Sequence, residues 1–220
     1  MTSMLLSQNM PASAASSTKG LQQNALIVID SGVANISTLI TDITGAQADV
    51  LLLSAERDGI AQITEALAGY ERLASLHIVS HGKPGQLHLG NTQLSFSTLA
   101  QHSGALVGWA ALLKNKDILL YGCQVAKGAM GHLFVQQLRQ LTGANIAAST
   151  DRIGRVGDRT NWTLDTQLGQ VQSPVVFSDE LQATYASHFE PVVDFSVSTD
   201  TLIESEGTPF SFIFELSEPP

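Results

Sequence analysis

The chain has 220 residues, 44% of them hydrophobic and 14% charged, with a formal net charge of −9. This length suffices for one sizeable core with room for a smaller second unit, while scattered lysines and arginines exclude a phosphate-tracking nucleic-acid surface. A single cysteine excludes an internal disulfide framework and a multi-thiolate zinc site, and no apolar run approaches the ~18 residues that span a membrane.

The first stretch, "MTSMLLSQNMPASAASSTKG", is polar and small, with its first positive charge at Lys19. It lacks the basic start and apolar middle of a secretory signal, and residues 1–23 read as a flexible leader. From 24 onwards short apolar runs alternate with helical periods. "ALIVID" (25–30) predicts a buried strand closed by Asp30-Ser31-Gly32. "ISTLITDIT" (36–44) predicts a short amphipathic helix, and "ADVLLLS" (48–54) a second buried strand. "GIAQITEALAGY" (59–70) carries a helical stripe at 60, 63, 67 and 70. "SLHIVSHG" (75–82) reads as the third strand, and "QLHLGNTQLS" (86–95) as a small hairpin about Gly90-Asn91.

Residues 97–113 then predict a helix, "DILLYGC" (117–123) a fourth strand, and "MGHLFVQQLRQLTG" (130–143) a helix ending on Gly143. "ANIAAST" (144–150) predicts a fifth strand. Continuous apolar strands alternating with helices imply an α/β domain with a parallel sheet covered on both faces. The alternation stops after residue 185. From Pro191, "VVDFSVSTDTLIESEGTPFSFIFELSEPP" alternates in the manner of a β-sandwich. A boundary is expected near 188–191, giving a domain over 24–188 and the first strands of a β-sandwich over 191–220.

Two strand ends carry chemistry. His81-Gly82 follows the third strand and Gly122-Cys123 ends the fourth. Ligand sites in such sheets lie beyond the C-terminal strand ends, and neighbouring strands are about 4.8 Å apart. A thiolate is the attacking form of cysteine. A nearby imidazole can take its proton and later protonate a leaving amine. Glycines beside these residues can offer unobstructed N–H donors to an oxyanion. Taken singly, Cys123 is a small core residue and His81 a turn residue; together they outline a dyad.

Other groupings are weaker. His77 and His81, four apart on a strand, are about 13 Å from each other, too far to share one metal. His88 approaching His81 would supply two imidazoles and no carboxylate. His102 and His132 fall in helical stretches.

"HIVSHGKPGQLHLG" followed by "ILLYGCQVAKG" resembles the His-Gly and Gly-Cys blocks of the caspase-like cysteine peptidases, which include gingipains, separases and the CHAT domains. "LLYGC", "LTGANIAAST" and "NWTLD" resemble more closely a bacterial domain of unknown function (DUF4347 type) found near the N-terminus of very large surface proteins. The resemblance covers roughly 24–185. It implies a three-layer α/β/α sandwich, a Cys123–His81 catalytic dyad, and an oxyanion hole formed by Gly82 and the Cys123 amide. The chain departs from the family pattern in "STDRIGRVGDRTNWTLD", where Asn161 rather than Asp precedes Trp162.

Asp151 and Asp158 follow the fifth strand, where the caspase-like group builds its specificity pocket. An acid there would pair with a Lys or Arg of the substrate, whereas Asp151 could equally serve only to cap its loop. The tail from 191 is similar to the opening of a Calx-beta domain, with Glu204 and Glu206 in "ESEG". Such domains bind calcium once complete, and a solvated strand is the plainer reading of the two glutamates. No metal or cofactor is expected for the α/β domain. The resemblance implies a cysteine endopeptidase acting on a polypeptide or on its own chain, within a longer adhesin at the cell surface or outside the cell. The other expectation is a module that keeps the fold without the chemistry.

Overall fold

A computed structural model describes residues 24–43, 48–155 and 160–189. In chain order, β1 (Ala25–Asp30) leads through α1 (Ile36–Ile43) to β2 (Ala48–Leu53), and α2 (Gly59–Leu67) leads to β3 (Ser75–Val79). A small antiparallel sheet follows, made of β4 (Gly82–Lys83), β5 (Gln86–Leu89) and β6 (Thr92–Ser95). Then come α3 (Ser103–Leu113), β7 (Asp117–Tyr121), α4 (Gly128–Thr142) and β8 (Asn145–Ala148). The rest comprises β9 (Arg152–Ile153), β10 (Thr160–Asn161), β11 (Thr166–Leu168) and α5 (Asp179–Thr184).

The main sheet has six strands in the order β11-β8-β7-β3-β1-β2, all parallel except β11, which runs antiparallel to β8. Successive side chains of a strand point to opposite faces, and β1 shows the consequence. Leu26 and Val28 join a core cluster with residues of α2, α3 and α4. Ile27 and Ile29 join a second cluster with residues of α1 and α5. Both sets are fully apolar because both are withdrawn from water.

Local signals set the helix ends. The Asp58 carboxylate accepts from the Ala61 amide at 2.8 Å and caps α2, a contact of about 1 kcal/mol. Gly143 closes α4 in the left-handed region at φ 66°, with its N–H donating to the Arg139 carbonyl at 2.8 Å. A residue with a Cβ is strained there.

Several expectations change. β2 is an edge strand with only Leu53 buried, and Leu52 and Val50 are exposed, because no strand covers its outer side. α3 begins at Ser103, after turns rather than helix over 97–102. The stretch after β8, for which no individual elements are predicted, supplies β9, β10, β11 and α5. Phe189, within the stretch 188–191 where a boundary is expected, is fully buried. The leader, Asp158 and the tail with Glu204 and Glu206 lie outside the described residues. No helix among the described residues is long and apolar enough to cross a membrane.

Candidate active site at the tips of β3 and β7

β3 and β7 are direct neighbours in the sheet, paired in parallel up to Val79 opposite Tyr121. The Ser80 amide still donates to the Tyr121 carbonyl at 3.3 Å, so the chains leave the sheet side by side. Two residues further on come His81 and Cys123, on adjacent tips as the crossover suggested. Glycine lets these tips touch. A Cβ on Gly82 would lie 2.9 Å from the Cys123 nitrogen, and one on Gly122 would lie 3.3 Å from the Gly82 Cα.

His81 is buried, and its Nε2 lies 2.9 Å from the Gly32 carbonyl oxygen. A carbonyl can only accept, so the ring proton sits on Nε2 and the lone pair on Nδ1. That Nδ1 is buried and has no hydrogen-bond partner in the structure. The imidazole therefore presents a base at the strand tips. Asp30 at the end of β1 shapes the supporting turn. Its carboxylate accepts from the Gly32 amide at 2.9 Å and from the Gly90 amide at 2.6 Å, and its carbonyl accepts from Val33 at 3.1 Å. Asp30→Ala is expected to cost about 3 kcal/mol in urea unfolding, since two amides lose a charged acceptor in a buried setting.

Cys123 is wholly buried. Its thiol donates to the Ile153 carbonyl at 3.4 Å and lies 3.3 Å from the Ile153 amide. The Cys123 amide donates to the carbonyl oxygen of Phe189 at 3.3 Å, and the Gly82 amide donates to the same oxygen at 3.1 Å. The two groups expected to hold an oxyanion thus already hold a peptide carbonyl.

That carbonyl belongs to a segment laid along the site as a strand. The Phe189 amide donates to Ile153 at 3.1 Å, the Arg155 amide donates to Ser187 at 2.8 Å, and Gly154 pairs antiparallel with His188. Gly154 adopts φ 130°, and a Cβ there would fall 2.3 Å from the Ser187 oxygen. The Phe189 ring packs between Trp162 and Tyr185, with both centroid separations 5.5 Å. Sequence reading placed Phe189 in an interdomain boundary. Its only local signal is an aromatic residue after the helical stretch that ends at Tyr185.

The loops around the thiol are tied together. Gln124 takes φ 58°, its amide donates to the Asp151 carbonyl at 2.8 Å, and the Ala126 amide donates to Ser149 at 3.0 Å. Asp151 meets the site through this backbone oxygen, while the residue itself is exposed. α4 starts at Gly128, two residues earlier than expected, which brings its N-terminus closer to Cys123. Trp162, in the stretch that departs from the family pattern, is buried against Phe177 with centroids 5.1 Å apart. Asp165 ties this stretch to the sheet by accepting from the Thr150 amide at 2.8 Å.

A second buried histidine lies deeper on β3. The Tyr121 hydroxyl accepts from the Val176 amide at 3.2 Å and is hydrogen-bonded to His77 Nδ1 at 3.0 Å, and His77 Nε2 is hydrogen-bonded to the Ser75 hydroxyl at 2.9 Å. Burial pulls His77 down to about 4 against an upward pull from Asp117. A histidine lowered on folding binds fewer protons in the folded state. Its contribution is therefore present above about pH 6.5 and is lost as pH falls towards 4. Urea midpoints should drop across that window by the equivalent of about 3 kcal/mol, and His77→Gln should flatten that part of the profile.

A concavity of about 750 Å³ lies at the opposite end of the sheet around Asp117, Arg139 and Asn145. Asp117 there receives Asn145 Nδ2, both the Gln172 and Ser173 amides, and the Ser173 hydroxyl. Burial pushes its carboxyl up and these hydrogen bonds outweigh it, leaving a lowered pKa. Asp117 thus fastens the chain after β11, while Arg139 in the same concavity keeps a buried Nη1 with no hydrogen-bond partner. Among the described residues no group of three or more His, Cys, Asp or Glu is placed to hold a metal ion.

No curated protein matches the chain. The family described as Domain of unknown function (DUF4347) matches residues 26–189, from β1 to the phenylalanine whose carbonyl fills the paired amides, and the chain belongs to that family.

Proposed function

We propose that this is a cysteine endopeptidase domain of caspase-like, three-layer architecture. Cys123 is the nucleophile, His81 carries the proton, and the amides of Gly82 and Cys123 stabilise the oxyanion. The supporting observation is the convergence of those two amides on one carbonyl oxygen, beside an imidazole whose Nε2 is engaged and whose Nδ1 is unpartnered. By resemblance we place the domain in the N-terminal part of a large surface or secreted adhesin, with calcium confined to a complete Calx-beta domain downstream. The complete burial of Cys123 and its contacts with Ile153 favour a second reading, a non-catalytic module.

The single cysteine allows a direct test, because one ¹³Cβ label reports one thiol. A thiol titrating below the ordinary value of about 8.5, and returning towards it in His81→Ala, supports the dyad. A raised value unchanged by His81→Ala establishes the non-catalytic module instead.

A further inference from the structure

We infer that the substrate of this site is the chain itself, cleaved in cis at the bond between Phe189 and Glu190, an inference that rests on the peptidase reading above. Ser187–Phe189 lies along the site as an added strand, the usual way an extended peptide is held by backbone pairing. Its hydrogen bonds to Ile153 and Arg155 set the direction, and the Phe189 carbonyl is delivered to both oxyanion donors. The Phe189 amide and the Cys123 thiol share the Ile153 oxygen as acceptor. The Phe189 ring occupies an aromatic recess, which defines the preference just before the cut as a large aromatic side chain. Asn35 adds a side-chain anchor by donating to the Ser187 hydroxyl at 2.8 Å.

The reaction balances with water as the only co-reactant. The Cys123 proton passes to His81 Nδ1, and sulfur bonds to the Phe189 carbonyl carbon. The carbonyl electron pair moves to oxygen, held by the Gly82 and Cys123 amides. As the C–O double bond re-forms, the bond to the Glu190 nitrogen breaks and Nδ1–H protonates the departing amine. Water, deprotonated by His81, hydrolyses the thioester to a Phe189 carboxylate and restores the thiol. Glu190 and everything after it is released, and the new carboxylate remains on the paired amides as a plug.

The test is intact-mass analysis of the Met1–Pro220 chain over time, in wild type, Cys123→Ala, His81→Ala and Gly154→Val. Wild type should yield one product ending at Phe189 and one beginning at Glu190, at a first-order rate that dilution leaves unchanged. Cys123→Ala should stay intact, and His81→Ala should be slower by about 10²–10⁴-fold. Gly154→Val, which blocks docking of Ser187–His188, should slow cleavage by about 10²-fold while speeding iodoacetamide labelling of Cys123. A cooperative urea transition of that variant shows that it is folded with an open site, because a denatured chain would also label fast but would show no transition. An intact wild-type chain whose thiol titrates low in a His81-dependent way overturns the cis substrate and leaves the peptidase reading standing. An intact chain with a His81-independent thiol overturns both. Cys123-dependent cleavage at another bond, or a rate that scales with concentration, overturns the assignment of this bond in cis.

Discussion

Removal of the imidazole at position 81 is expected to slow peptide-bond cleavage by about 10²–10⁴-fold while changing folding stability far less. The division follows from what each ring nitrogen does. Nε2 is hydrogen-bonded to the Gly32 carbonyl, a net contribution of about 1 kcal/mol. Nδ1 has no partner, so its loss removes no contact, only the base. A His81→Asn chain separates the roles further, since its amide nitrogen can still donate towards Gly32 but nothing can take the thiol proton. Measured by the appearance of a new N-terminus in single-turnover conditions, both variants should be equally slow. A His81→Asn chain that cleaves at the wild-type rate would remove His81 from the chemistry.

Phe189→Ala is expected to lower unfolding free energy by about 3–5 kcal/mol in urea titration. The ring is wholly buried, with edge contacts to Trp162 and a tilted contact to Tyr185, each worth about 0.5–1.5 kcal/mol beyond area burial. Segments that follow the last helix of a domain usually fray. This one is held by amides from Gly82, Cys123 and Arg155 and by its own amide on Ile153. Losing the ring should therefore also loosen the cover over Cys123, and thiol labelling should accelerate along with the loss of stability. Phe189→Leu keeps most of the volume and should lose less than about 1.5–2 kcal/mol. Equal stability of Phe189→Ala and wild type would show that the segment does not hold its place in solution.

Both expectations depend on a site that was only half legible in the chain. His81 and Cys123 could be named because each follows an uninterrupted apolar run and stands beside a glycine, and strand alternation told where such residues end up. The order of the strands was inferred from a single crossover, and β3 and β7 do pair. Which ring nitrogen of His81 is left unpartnered was not readable, because its partner Gly32 lies 49 residues away in sequence, on a turn made by Asp30. Likewise β2 reads like β1 in composition, yet it lies at an edge where Val50 and Leu52 are exposed and only Leu53 is buried.

What the sequence by itself determined is most of the elements up to β8 and the chemical types at their ends. Hydrophobic period and glycine placement are local properties, set by side-chain direction and backbone freedom within a few residues. Only the tertiary structure decided what occupies the site. Phe189 lies far along the chain from both Gly82 and Cys123, and nothing near it in sequence marks it as a ligand of their amides. Its capture follows from the recess made by Trp162 and Tyr185 together with the open edge at Ile153–Arg155. Such a fit is a property of distant surfaces meeting, and it exists only once the sheet, its crossovers and the loops beyond β8 have brought them to one place.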